Sequence, residues 1–425
     1  MVKLEERKEL TKDRPVEIAP LPRQAYIHLA QHTGKSATPC VKTADTVLTG
    51  QCIGLSEAAV SSAIHSSISG RVLSIRDYLH PILGYAKAVI IESDGQDTKE
   101  KLEPRSQKEI EKLGPEEIRK LVQKAGIVGL GGAAFPTHIK LNPPRPIDTL
   151  IINGAECEPY LTSDYRLMVE KTKEIILGID LVLRCINAKY VYIAIEDNKP
   201  EAIKAFKGEV KNLKFKIQIL KSFYPQGGEK QLIKNILDKE VPSGKLPFDI
   251  GVVVHNVATI YAIYEAVYKN KPLYERIVTV TGSCLENPKN LLVRIGTPIK
   301  DLINACGPLV KTPYKIVMGG PMMGIAQCSQ DIPIIKATNG IILLSEEEAR
   351  IYEEQVCIRC GACVRNCPIG LMPCIIDAAS RKQDWKLAAA YGALDCIECG
   401  LCSYVCPANR WLVEAIKLAK QMQRK

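Results

Sequence analysis

The 425-residue sequence predicts a multidomain α/β and α+β protein, and three observations carry that expectation. The chain is longer than a single hydrophobic core ordinarily extends, which divides it into roughly two to four domains. Residues 1–100 hold short β-type runs without helical periodicity, whereas residues 105–275 alternate helical and strand patterns. Residues 276–340 return to β character, and residues 345–425 are cysteine-rich with a helical pattern. These four blocks are the expected domains.

In the first block, Val41 and Val47 with Leu48 flank a polar stretch, residues 42–46, as strand, turn and strand. A Ser-Gly turn then leads into a strand over 71–75. A small β-sandwich satisfies these runs. Residues 94–104 read as a linker, and the Lys/Glu alternation of 99–112 as a solvated face or linker. In the second block, Pro115 opens a helix running through Leu121, and a glycine-rich loop follows over 126–132. Strands are expected at 148–152, 190–195 and 250–254, and helices at 165–183, 228–237 and 258–269. Such alternation builds a mostly parallel sheet. The third block places strands at 276–282, 291–295 and 314–318 and a helix at 299–305, which fits a small β-grasp-like unit. Ser345 followed by three glutamates reads as a helix start.

The formal net charge is +10 and its lysines are scattered, which biases the surface towards acidic partners or an anionic membrane face. Aromatic residues make up only 5%, and no recognition motif accompanies the charge, so no nucleic acid is expected as a partner. Residues 1–23 are charged and lack the apolar core of a signal peptide. No run of about 18 apolar residues spans a bilayer. The expected location is cytoplasmic, peripheral to a membrane.

Sixteen cysteines in such a chain argue for metal rather than disulfides. Eight fall in two C-x2-C-x2-C-x3-C-P runs: Cys357, Cys360, Cys363, Cys367 and Cys396, Cys399, Cys402, Cys406. An iron–sulfur cube needs four converging thiolates. A tight loop supplies three, and in two-cluster ferredoxins the fourth cysteine ligates the other cluster. Cys357, Cys360, Cys363 and Cys406 are therefore assigned to one 4Fe-4S cluster, and Cys396, Cys399, Cys402 and Cys367 to a second. Zinc would use paired C-x2-C motifs around one tetrahedral centre, which duplicated four-cysteine runs fit poorly. Cys374 lies outside the runs and reads as core. The other dispersed cysteines (Cys40, Cys52, Cys157, Cys185, Cys284, Cys306 and Cys328) read mostly as small buried apolar residues.

The glycine-rich loop follows a helix, which separates it from a dinucleotide fingerprint placed after a strand. Gly129-x-Gly131-Gly132 exposes consecutive backbone N–H groups to a phosphate, and Lys140 adds positive charge. Alone, such a turn is more often structural. Asn153, Glu156 and Glu158 follow a strand, where Asn and Glu suit a ligand site in an α/β sheet; the bland alternative is a solvated acidic loop. His138 and His255 read as packing residues, and Met318, Met322 and Met323 as core. No catalytic acid, base or nucleophile is singled out.

The stretch from Gly129 to Lys140, with Phe135 inside it, resembles the flavin loop of the FMN-carrying, NADH-oxidising component of respiratory complex I. Residues 153–159 resemble the acidic flavin loop of the same component, with Ala155 in place of an aspartate and Ala134 in place of a glycine. Residues 224–229 and 256–259 resemble later parts of the pocket, which adds Glu229, Asn256 and Thr259 to the expected cofactor-binding set. Over nearly the whole chain, from His32-Thr33-Gly34 through Val278-Thr279-Val280-Thr281-Gly282 to the cysteine runs, the sequence resembles the RnfC component of the Rnf complex, the ion-translocating ferredoxin:NAD+ oxidoreductase. The resemblance implies a barrel-sandwich (lipoyl-like) N-terminal domain, an α/β flavin domain, a soluble-ligand-binding β-grasp domain and a helical two-cluster ferredoxin-type domain. It also implies FMN, two 4Fe-4S clusters and NAD(H) as substrate. The implied partners are the other Rnf membrane subunits and a ferredoxin-type carrier or a cluster-bearing protein of the complex. Ion pumping would require the membrane partners. A soluble cobalamin-reductase-like flavoprotein and a non-enzymatic, cluster-bearing wiring protein are the alternatives.

Overall fold

The structure, a computed structural model, describes residues 2–211 and 214–423. In the N-terminal unit the strands Gln24–His28, Gly84–Ser93, Gly70–His80 and Thr46–Val47 form one sheet in that spatial order. Thr38–Pro39, Cys52–Leu55 and Ile64–His65 form a second. Ile27, Ile53, Ile64, Val89 and Ile91, all at 0% exposure, make the core of this unit.

The second unit holds an all-parallel sheet in the order Phe215–Leu220, Tyr190–Glu196, Thr149–Gly154, Val252–Asn256. Helices Pro115–Lys124, Thr172–Ile186 and Val257–Tyr268 share one core that includes Leu150, Ile152, Ile193 and Val253. Ile151, Ala194, Val252 and Val254 meet Leu232 and Ile233 of helix Glu229–Leu237 in a separate core. Alternate residues of each strand therefore enter different cores. Burial on both faces is why these strands read as unbroken apolar runs. The chain works outwards from Thr149–Gly154 in one direction and then returns to place Val252–Asn256 on the other side. The reversal lies between those two strands.

A third, mixed sheet runs Val16–Ile18, Lys289–Arg294, Glu275–Thr281, Gly340–Leu344, Lys315–Met318, Ile325–Gln327, with helix Ile299–Ala305 packed on it. The N-terminal segment thus belongs to this sheet and not to the first unit. Val2 bridges Tyr224, and the Tyr160 N–H donates to Glu6 O at 2.8 Å. The cysteine-rich region carries helices Ala362–Arg365, Pro373–Arg381, Trp385–Ala390, Leu401–Tyr404 and Leu412–Gln423 around Ile376, Ala388, Leu412 and Ile416.

Three expectations are corrected. Ser345 does not open a helix. Glu348 caps the Ser345 N–H at 3.0 Å, but the turn stops and residues 350–361 have no regular secondary structure. Ile351 and Tyr352 are 58% and 59% exposed, so no buried stripe follows to sustain a helix. The pattern read as one helix over 165–183 is two, Ser163–Glu170 and Thr172–Ile186. At the break the Thr172 hydroxyl donates to Met168 O at 2.6 Å in place of a backbone N–H. The segment read as a solvated face or linker contains helix Gln107–Lys112, closed by a Ser106–Glu109 capping box. Among the described residues no helix is long and apolar enough to cross a membrane.

Candidate functional site

The parallel sheet reverses its direction of growth between two asparagines. Asn153 and Asn256 are register partners at the carboxyl ends of Thr149–Gly154 and Val252–Asn256, where an open α/β sheet forms its ligand crevice. Asn256 Oδ1 accepts from the N–H of Ala258 at 2.9 Å and so caps helix Val257–Tyr268, while its Nδ2 donates to Asp164 at 2.6 Å. Asn153 Nδ2 donates to Gly227 O at 2.8 Å and fixes the 224–228 loop beside it.

The glycine-rich loop folds over this crevice. The Gly129 N–H donates to Phe135 O at 2.9 Å and the Ala134 N–H to Gly129 O at 3.1 Å, which closes the loop on itself. The buried Leu130 N–H donates to Thr259 Oγ1 at 2.9 Å and ties the loop to the first turn of the Val257 helix. Gly131 stands so close to Asn256 that a Cβ would come 3.2 Å from the asparagine Cβ. Gly132, at φ +119°, faces open space. The tip from Gly131 to Ala133 is exposed and Phe135 is half-buried. Lys140 Nζ donates to Glu229 at 2.9 Å and to Val254 O at 2.6 Å, joining two of the expected residues. Among the described residues, three buried polar atoms of this region, Thr137 Oγ1, His138 Nδ1 and His255 Nε2, have no hydrogen-bond partner. A crevice with exposed glycine backbone, an ammonium group and unpaired polar atoms fits a phosphate-bearing, polar-edged cofactor such as FMN.

The two acidic residues bond backbone groups of the protein. Glu156, in the left-handed region at φ 46°, accepts from the N–H groups of Asp164 at 2.7 Å and Tyr165 at 3.2 Å, so it caps helix Ser163–Glu170. Burial, then the neighbouring Glu156, raise the Asp164 carboxyl well above its ordinary range. Glu158 accepts from the N–H groups of Met322 at 3.0 Å and Met323 at 2.9 Å. Burial pushes its carboxyl up to about 7. These carboxylates, expected to orient a cofactor ring, are committed to the protein's own backbone and build the crevice wall. Met318 is buried as expected, but Met323 is 50% exposed.

The two cysteine runs adopt matching backbones. Arg359 and Glu398 both have positive φ, as do Gly361 and Gly400, and each run continues into a four-residue helix. Cys396, Cys399, Cys402 and Cys367 line one cavity together with Leu371, Ile397, Val413 and Ile416. It encloses about 320 Å³ of empty space, its open mouth included. Burial drives the thiols of Cys399 and Cys402 up to about 11 and 12. A multivalent iron centre would supply the charge that thiolates need in so apolar a place. Four sulfurs around one apolar cavity fit an iron–sulfur cube, with Cys367 arriving from the other run.

The remaining four cysteines are less closely gathered. Cys363 and Cys406 join the core of this region, while Cys357 is half-buried and Cys360 exposed on the irregular stretch before helix Ala362–Arg365. Cys374, read as core, packs against that core. Its thiol is a hydrogen-bonding neighbour of Cys363. Among the described residues, no three His, Cys, Asp or Glu side chains converge on a single metal ion.

The crevice and the cavity share a wall. Tyr224 OH donates to Cys399 O at 2.8 Å and lies 3.5 Å from Glu158. Gln231 Nε2 donates to Pro368 O at 2.7 Å, and Lys230 pairs with Asp395 at 3.7 Å. Gly400, at φ +78°, presses on Met322 O, where a Cβ would come within 2.7 Å. Tyr224 opens the 224–229 stretch read from the sequence as part of the pocket, whereas Gln231 was not singled out and its only signal was proximity to that stretch. Thr33 was also missed as a contact: its N–H and hydroxyl donate to Ala134 O at 3.1 Å and Ala133 O at 3.0 Å, clamping the glycine loop from the N-terminal unit.

Comparison with known proteins gives four matching families along the chain: the RnfC barrel sandwich hybrid domain over residues 2–96, the Nuo51 FMN-binding domain over 122–265, the SLBB domain over 277–326 and the 4Fe-4S dicluster domain over 349–407. The C subunit of a proton-translocating ferredoxin:NAD(+) oxidoreductase complex from Clostridium ljungdahlii is 44% identical over 99% of this chain and 92% of its own. A Na(+)-translocating counterpart from Acetobacterium woodii is 42% identical over 98% and 94%. The C subunit of an ion-translocating oxidoreductase complex from Rhodobacter capsulatus is 43% identical over 98% and 81%. Among solved structures, a NAD+-reducing [NiFe]-hydrogenase in the H2-reduced state superposes with a TM-score of 0.51 at 20% identity. The match covers 73% of this chain and 61% of that one, and it speaks for the fold alone.

Proposed function

Because this chain belongs to the RnfC family, the C subunits of ion-translocating ferredoxin:NAD(+) oxidoreductase complexes, we propose that it is the peripheral electron-carrying component through which NAD(H) exchanges electrons with the rest of such a complex. When bound, flavin exchanges hydride with NAD(H) and single electrons with iron–sulfur centres. Gly131 and Gly132 leave the backbone bare for the cofactor phosphate, Lys140 balances its charge, and Asn153, Asn256, Glu229 and Phe135 line the crevice. Thr259 holds the loop in place by accepting from Leu130. Glu156 and Glu158 position the walls through backbone N–H groups.

The reading rests above all on the shared wall between crevice and cavity, where Tyr224 bonds Cys399 O. It puts the second run, with Cys367, on the flavin side. The first run, with Cys360 exposed, faces outwards to a partner protein of the complex or a ferredoxin-type carrier. We assign 1–100, apart from its first segment, to a barrel-sandwich domain, 105–275 to the flavin domain, 276–340 to a β-grasp domain and 345–425 to the two-cluster domain. Residues 2–18 are a strap across the middle two. The protein would lie on the cytoplasmic face, held by membrane partners that move the ion. The relatives do not favour the soluble cobalamin-reductase-like alternative.

Anaerobic preparation followed by iron, sulfide and flavin analysis tests the assignment. About eight iron, eight sulfide and one FMN per chain are expected, with flavin absorbance bleached by NADH. Zinc in place of iron, or flavin-free protein that ignores NADH, refutes it.

A further inference from the structure

Two thiols meet on the N-terminal unit, outside the crevice and the cavity. The strand Thr38–Pro39 pairs antiparallel with Cys52–Leu55, Thr38 opposite Leu55 and Pro39 opposite Gly54. The ladder continues through the Cys40 N–H, which donates to Ile53 O at 3.0 Å. The register between Cys52 and Gly54 shifts against the next strand, Ile64–His65. Such a bulge re-aims side chains. Ile53 is wholly buried, while Cys40 is exposed and Cys52 half-buried. Cys40 Sγ donates to Cys52 O at 3.5 Å, which brings the exposed thiol onto the backbone of the residue that carries the second one. Neither residue belongs to the cysteine runs.

We propose that Cys40 and Cys52 form a reversible dithiol–disulfide pair, a redox modification site separate from the cluster ligands. The co-reactant is a small-molecule disulfide such as oxidised glutathione. Cys40, the exposed thiol, attacks one of its sulfurs as thiolate. The other sulfur leaves as a thiol, and Cys40 carries a mixed disulfide. Cys52 then attacks Cys40 Sγ and releases the second small thiol. Two protein thiols lose two electrons and two protons, and the co-reactant gains both as two thiols. Burial and the adjacent Cys40 push the Cys52 thiol up to about 11, which disfavours it for the first attack.

The test uses the full chain, purified anaerobically with its metal content intact. It is treated with oxidised glutathione, alkylated, digested with trypsin and weighed without reduction. Cleavage after Lys35, Lys42 and Arg71 separates the two cysteines into peptides 36–42 and 43–71. The expected product is those peptides joined, released by a reducing dithiol. Cys52→Ser should trap glutathione on Cys40, and Cys40→Ser should leave Cys52 unmodified. Stable glutathione on Cys40 of the unsubstituted chain with no joined peptide, or both cysteines fully alkylated after treatment, overturns the proposal. Iron content equal to that of the untreated protein establishes that the fold survived in each variant.

Discussion

The Glu158 carboxylate lies between the backbone N–H groups of Met322 and Met323 and the hydroxyl of Tyr224. Burial raises it from an ordinary 4.5 to about 7, against the pull of those donors. Between these values the folded chain keeps a proton that the unfolded chain has lost. The stabilisation is complete below the unfolded value, declines as pH rises through that interval and is gone above about 7. Denaturant titrations of the native protein and of Glu158→Gln should therefore diverge. From pH 5 to 7 the native protein should lose about 1.4 kcal/mol per pH unit relative to the variant, with no further change above pH 7. A constant difference across that range would remove the buried proton. At Gly132 the constraint is backbone alone: φ is +119° and the space beyond is empty. Gly132→Ala should cost about 1–2 kcal/mol in loop conformation and weaken FMN retention roughly tenfold, read by flavin released on dilution.

The tie between the glycine loop and the Val257–Tyr268 helix makes the crevice one element. Thr259→Val removes the acceptor from a buried N–H, Leu130, and should cost about 1–3 kcal/mol of stability. Flavin occupancy should drop while iron content stays unchanged; equal losses of both would mean that the tie supports the whole fold and not the crevice. Elements with strong local signals were legible in sequence. The helix Ile299–Ala305 has its expected bounds, and Thr149–Gly154 and Val252–Asn256 lie within two residues of theirs, because doubly buried strands are continuous apolar runs. The strand Phe215–Leu220 was overlooked although its Phe-Lys-Ile-Gln-Ile alternation is a strand signal. The failed helix at Ser345 teaches the complementary lesson: a glutamate bonded back to the Ser345 N–H starts a turn, but only a buried face extends it. Residues 350–361 lack that face. Side-chain loyalties were least legible. Glu156 and Glu158 look alike in sequence, and their commitments, to a helix N-terminus and to the 322–323 backbone, depend on long-range packing.

At the scale of the whole molecule, buried lysines fasten the units together. Lys336 Nζ donates to Ala63 O and Gly126 O, both at 2.7 Å, and so joins the N-terminal unit, the glycine loop and the region before Gly340–Leu344. Lys8 Nζ, on the N-terminal strap, donates to Glu156 O at 2.7 Å and Leu161 O at 2.6 Å. The same packing supports the proposed sequence of electron carriers. Residues 224–231 touch Cys399 O and Pro368 O, whereas Cys360 is exposed to solvent. Two single substitutions separate the orders. Cys360→Ala perturbs only the outward set, so NADH should still reduce the remaining cluster at close to the native rate, while transfer to an external acceptor falls at least tenfold. Cys396→Ala perturbs only the set against Tyr224, so NADH should bleach flavin but leave the outward cluster oxidised, although dithionite still reduces it. Rapid-mixing absorbance followed by paramagnetic resonance of frozen samples distinguishes them. If Cys396→Ala instead leaves NADH reduction of the outward cluster intact, the path does not cross the Tyr224 wall, and the order of carriers inferred from that contact is wrong.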